Sequence, residues 1–145
     1  MIVSAYMTPR PLTVSGSCTA DVAASQMRRH QVFQLPVVDD AGSLVGIVTD
    51  RDIRSAAGSD PDLLPKLLVS EIMTSDVVVV GPNDDIRMAL EILYRLRFGG
   101  LPVVEDGVVV GIITVRDLLR CLKDELEMPA ILHEVSVPRQ FADIF

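Results

Sequence analysis

Apolar residues fall along the chain in two rhythms. Leu35-Pro36-Val37-Val38, Leu44 to Thr49, Leu101 to Val104 and Val108 to Thr114 are short, nearly unbroken aliphatic runs. Such runs predict strands covered on both faces. Asp39-Asp40-Ala41-Gly42-Ser43 and Glu105-Asp106-Gly107 join them in pairs, and their Asp and Gly residues form turns. Helical spacing begins near Thr19, with Val22, Ala23, Gln26, Met27 and His30 set for one face, and again near Asp85. Short extended runs, Leu12-Thr13-Val14 and Val77 to Val80, precede these helices, and further helices start at Thr49 and Thr114. The order predicted is β-α-β-β-α, twice.

The two halves also repeat in sequence. Val3-Ser4-Ala5-Tyr6-Met7-Thr8 recurs as Val69-Ser70-Glu71-Ile72-Met73-Thr74, and Leu35-Pro36-Val37-Val38 recurs as Leu101-Pro102-Val103-Val104, both at an offset of 69 − 3 = 66. Gly46-Ile47-Val48-Thr49-Asp50-Arg51-Asp52-Ile53 recurs as Gly111-Ile112-Ile113-Thr114-Val115-Arg116-Asp117-Leu118 at 111 − 46 = 65, after a one-residue deletion in the second turn. A register held through three motifs marks a tandem duplication. The expected organisation is a first repeat over 1–57, a linker over 58–68, a second repeat over 69–123 and a tail over 124–145. Ala57 to Pro65 has breakers at both ends. Pro129 and Pro138 prevent the tail from forming one long helix, and its Ile131, Leu132, Phe141, Ile144 and Phe145 predict packing on its own module or on a second copy.

Composition narrows the function. Of 145 residues 49% are hydrophobic but only 4% aromatic, without Trp, so the core is aliphatic. The densest apolar stretch, Leu101 to Val115, is interrupted by Pro102, Glu105, Asp106, Gly107, Gly111 and Thr114, far short of the roughly 20 residues of a membrane span. Met1 to Tyr6 lacks the basic and apolar regions of a secretory signal, and Cys18 and Cys121 are too few for a disulfide framework. A cytoplasmic protein without membrane association is expected. The net charge of −7 argues against a nucleic-acid partner, and the Arg28-Arg29 pair and the Arg95, Arg97 pair read as solvated helix faces. His30 and His133 lack partners at metal-ligand spacing, and no nucleophile elbow, P-loop or dinucleotide glycine pattern occurs. Neither a metal, a required cofactor nor a catalytic set is expected, so the chain does not read as an enzyme.

Chemistry concentrates in the repeated Gly-x-x-Thr-x-Arg-Asp. A strand feeding a helix leaves unpaired backbone N–H groups at the helix start, where anions are favoured. Thr49 adds a hydroxyl there, Arg51 a fork suited to phosphate, and Asp52 two oxygens that accept a vicinal diol; Thr114, Arg116 and Asp117 repeat the set. The same Thr-x-x-Asp is also an ordinary helix start, with Thr as cap and an acid at the third position. Both readings stand on the residues alone.

On these motifs the run from Val3 to Leu122 resembles a tandem pair of CBS domains, named for cystathionine β-synthase. The resemblance implies an α/β (α+β) fold of two β-α-β-β-α repeats packed sheet to sheet about a pseudo-twofold axis, with two clefts between them for adenine-containing ligands. It implies a regulatory module, a homodimer, and a separate regulated protein as partner. Asp52 and Asp117 become ribose acceptors, with Thr49 and Thr114 near phosphate or sugar. Asp117, Thr114, Arg116 and Ile112 would face Leu12, Val32, Phe33 and Gln34; Asp52, Thr49, Arg51 and Ile47 would face Val78, Phe98, Gly99 and Gly100. The ligands implied are AMP, ADP, ATP or S-adenosylmethionine. The alternative is a structural dimerisation module whose nucleotide sites are vestigial.

One departure matters. Nucleotide-binding members often carry Arg or His just before Leu-Pro-Val, where this chain has Phe33-Gln34 and Gly99-Gly100. Arg51 and Arg116, helped by Arg97, are left as phosphate candidates, while the glycines present backbone N–H groups or make room for a bulkier ligand. Asp50 against Val115, and Phe33-Gln34 against Gly99-Gly100, make the two sites unlike and predict unequal affinities.

Overall fold

The computed structural model describes residues 1–127. After a 3-10 turn at Val3–Ala5, the first half runs β1 (Thr8–Pro9), β2 (Val14–Ser15), α1 (Ala20–His30), β3 (Gln34–Val38), β4 (Leu44–Thr49) and α2 (Asp50–Ala57). A 3-10 segment at Pro61–Lys66 and the short α3 (Val69–Ile72) lead to α4 (Ile86–Leu96), β5 (Gly100–Glu105), β6 (Val108–Thr114) and α5 (Val115–Glu125). The predicted tail packing lies outside the described residues from 128 onward.

Two three-stranded sheets result, β2-β3-β4 and β1-β6-β5. Their hairpins are equivalent down to the irregularity, which falls between Val37 and Val38 in one and between Val103 and Val104 in the other. The first turn is held by the Asp39 carboxylate, which accepts from Ala41 N at 3.0 Å and Ser43 N at 2.9 Å. In the second, shorter turn Asp106 and Gly107 both take positive φ, 52° and 80°. That combination matches the right-handed twist of a two-residue hairpin.

The opening motif of each repeat crosses to the other half. β1 pairs antiparallel with β6, Thr8 opposite Ile112, and Thr74 bridges Ile47 in the same way. Val3 is fully buried in the core of the second half with Leu101, Val103 and Ile113, whereas Val69 is fully buried in the core of the first with Leu35, Val37 and Val48. The same hydrogen bonds fix both segments: Val3 N to Asp84 O at 2.9 Å and Val69 N to Cys18 O at 2.7 Å, Ser4 N to Pro82 O at 2.9 Å and Ser70 N to Gly16 O at 3.0 Å. The exchange is a pseudo-twofold relation written in contacts, and neither half closes its core without the other.

Four local expectations change. Val77 to Val80 forms no strand; only Val80 bridges, parallel to Val103. The buried face of α1 is Ala20, Ala23 and Met27, while Val22 is 46% exposed and His30 lies on the solvent side, because the i, i+3, i+7 line places them off the core. Strands β3 and β5 are buried on both faces at their centres, as their unbroken apolar runs predict, but β4 and β6 carry exposed positions such as Val45 and Val108. The linker is also more ordered than its breakers suggest: Pro61 starts a 3-10 segment in which Asp60 accepts from Asp62 N at 3.0 Å. No helix among the described residues is long and apolar enough to cross a membrane.

Candidate functional site

Strands β4 and β6 each end at a threonine that caps the next helix. Thr49 Oγ1 accepts from Asp52 N at 3.1 Å while Asp52 Oδ2 accepts from Thr49 N at 2.9 Å. Thr114 and Asp117 repeat this closed pair at 3.2 and 2.9 Å. Each is a capping box, which satisfies orphan N–H groups reciprocally. The helix starts are fastened to the loops ahead of β3 and β5 by Asp50 N to Phe33 O at 2.8 Å and Val115 N to Gly99 O at 3.1 Å.

Both capping boxes open on one cleft of about 920 Å³ between the halves. All sixteen residues singled out from the sequence line it. It takes in both of the expected sites, and Gly99 leaves open space: a Cβ there would meet nothing within 4 Å. Gly100 serves a different need. A Cβ there would strike the Gln34 side-chain nitrogen and lie 3.2 Å from the Ile113 carbonyl. Gln34 and Gly100 are equivalent positions (34 + 66 = 100) facing each other across the pseudo-twofold axis, so the room left by one is taken by the other.

The walls are mixed. Phe33, Phe98 and Val78 leave 77%, 42% and 38% of their surface exposed at the rim. Large apolar side chains held open in a cleft are a feature of ligand pockets, which pair such walls with a few placed polar groups. Arg54 pairs with Asp50 at 2.9 Å, whereas Arg51, Arg97 and Arg116 make no salt bridge among the described residues. Arg97 and its equivalent Gln31 both end a helix in the left-handed conformation, φ 58° and 54°, which turns the chain back toward the cleft. The sequence reading missed Thr8, Thr74 and Asp76, which also line it. The signal for the first two was present, since both close the repeated Met-Thr motif. No group of three or more His, Cys, Asp or Glu able to hold a metal occurs among the described residues.

Two halves, β-α-β-β-α in the first and α-β-β-α with only a bridging Val80 ahead of it in the second, exchange their opening segments, share a cleft walled by both and define a paired-repeat module. The family model of the CBS domain matches residues 3–59 and 69–124, and the chain belongs to that family as a tandem pair. A CBS domain-containing protein of Dictyostelium discoideum is 34% identical over 137 residues, 88% of this chain and 94% of the relative. An inosine-5'-monophosphate dehydrogenase of Methanocaldococcus jannaschii is 38% identical over 110 residues, but the match takes in only 21% of that enzyme. Among solved structures, the CBS domain pair of protein MJ0100, in complex with 5'-methylthioadenosine and S-adenosyl-L-methionine, superposes with a TM-score of 0.78 at 28% identity, covering 86% of this chain and 98% of that one. The CBS-pair protein CBSX2 of Arabidopsis thaliana, in complex with AMP, gives 0.77 at 30% identity over 88% and 98%.

Proposed function

We propose that the protein is a non-catalytic regulatory module that binds an adenosyl ligand, AMP, ADP, ATP or S-adenosylmethionine, in the cleft between its repeats. The observation that carries this reading is the approach of two carboxylates, Asp52 and Asp117, from opposite repeats to one cleft with aliphatic and aromatic walls. A carboxylate beside a helix start accepts from sugar hydroxyls, while Arg51 or Arg116 meets phosphate. Relatives of the same fold supported by AMP and S-adenosylmethionine complexes agree with it. Phe33-Gln34 and Gly99-Gly100 bring no charge, which favours ligands with few phosphates.

A ligand bridging the repeats, taken as 1–57 and 69–123 about the linker 58–68, biases their relative angle only if it binds one arrangement better. That change would be read by a cytoplasmic partner protein. A homodimer fits the groove of about 420 Å³ between α4 and α5, whose Leu90, Leu119, Leu122 and Tyr94 are 51%, 60%, 52% and 80% exposed. The alternative, a dimerisation module with vestigial sites, is favoured by one observation: the capping boxes already give Thr49, Asp52, Thr114 and Asp117 a folding role.

A thermal-shift panel of AMP, ADP, ATP, S-adenosylmethionine and NADH separates the two. A true ligand at a hundred times its Kd adds about 2.7 kcal/mol of stability. The rise should disappear in the Asp52→Ala/Asp117→Ala double variant. A panel in which no adenosyl compound moves the melting temperature supports the vestigial reading.

A further inference from the structure

The two carboxylates of the cleft are not equally free. Asp117 Oδ2 accepts from both the backbone N and the hydroxyl of Thr114, each at 2.9 Å, and its Oδ1 lies 3.5 Å from the Arg120 guanidinium. Arg120 is itself anchored, donating to the Tyr6 carbonyl at 2.6 Å and lying 5.8 Å from the centre of the Tyr6 ring. Asp117 is buried, with 7% of its surface exposed. Asp52 differs on every count. Its Oδ2 accepts only from Thr49 N, and no cation pairs with it among the described residues. The position equivalent to Arg120 is Ser55 (120 − 65 = 55), and the arginine of α2, Arg54, is drawn to Asp50 instead. The second repeat has Val115 where Asp50 stands.

A vicinal diol binds a carboxylate by donating to acceptor sites that are not already in use. Asp52 keeps a whole oxygen for it, whereas both oxygens of Asp117 are engaged. Resting on the adenosyl-ligand reading, we propose that the Asp52 half of the cleft is the primary subsite for the sugar hydroxyls, and that Arg120 is a positioning residue that restrains the Asp117 half. A ligand entering that half must displace the Arg120 contact.

Isothermal titration with AMP tests it. The full chain should show either one site or two unequal sites, with the tighter one lost in Asp52→Asn and kept in Asp117→Asn. In Arg120→Met the weaker site should tighten by about two- to fivefold, the worth of a partly exposed ion pair, while the tighter site stays unchanged. Arg120→Gln, which retains a donor for the Tyr6 carbonyl, should do the same and guards against a folding defect. Two equal sites, loss of the tight site in Asp117→Asn, or Arg120 variants that leave the weak site unmoved would each overturn the proposal. Failure of the unaltered chain to bind any of AMP, ADP, ATP and S-adenosylmethionine would instead remove the adenosyl-ligand reading beneath it.

Discussion

Gly46 and Gly111 sit where the methionines of the repeated Met-Thr motif cross to the other half. A Cβ on Gly46 would collide with Met73 Sδ and lie 3.0 Å from the Thr74 carbonyl; on Gly111 it would collide with Met7 Sδ and lie 3.1 Å from the Thr8 carbonyl. The sulfur can move, but the carbonyls belong to the strand pairing that joins the halves. Gly46→Ala and Gly111→Ala should each destabilise by about 1–3 kcal/mol through overpacking, read as a lower denaturant midpoint. Either substitution leaving the midpoint unchanged would mean that the close approach is not maintained in solution. Both glycines and both methionines were visible in the sequence as repeat markers. Their contact was not, because it joins residues from opposite repeats and no local pattern encodes it. The site residues were more legible: Thr49, Asp52, Thr114 and Asp117 combine a local cap with a recurring motif, so spacing alone put them at helix starts. Arg120 escaped notice since its importance depends on the orientation of Asp117 and on Tyr6 far away in sequence.

Among the elements, the long helices and hairpins follow from period and turn chemistry, whereas β1 does not. Two residues show no periodicity, and their partner strand lies in the other repeat. The exchange predicts a symmetric response to truncation. Val3→Ala and Val69→Ala each remove a fully buried side chain from the core of the opposite half, at about 2–3 kcal/mol apiece. Equilibrium unfolding should lose that amount in either variant while remaining one transition, and separate transitions for the two halves would contradict a shared core. Helix α4 adds a pH dependence. Its N-cap Asp85 accepts from Arg87 N at 2.9 Å and pairs with the guanidinium at 2.6 Å, and that hydrogen bonding holds the Asp85 carboxyl far below its ordinary value of 3.8. The stabilisation is complete above the ordinary value and lost as pH falls through the depressed one. Asp85→Asn should therefore flatten the acid side of the stability profile, modestly and less so at high salt because the pair is exposed. An unchanged acid profile at low salt would show that the pair contributes nothing.

At the scale of the whole molecule, duplication explains features that look unrelated residue by residue. A core without Trp suffices because each half borrows an aliphatic segment from the other, and a chain of net charge −7 can hold an anion only where helix starts and unpaired arginines converge. The resemblance to a CBS pair anticipated which residues line that place. It did not reveal that Gln34 fills the room left by Gly100 on the pseudo-twofold axis, since that contact joins residues of opposite repeats. The central claim is that this cleft, through Asp52 and Asp117, binds an adenosyl ligand. Equilibrium dialysis of radiolabelled AMP and S-adenosylmethionine against the unaltered chain and the Asp52→Ala/Asp117→Ala variant tests it most directly. Saturable binding of at least one of the two, abolished in the folded double variant, is the result predicted; binding that survives both substitutions, or none to the unaltered chain, would contradict it.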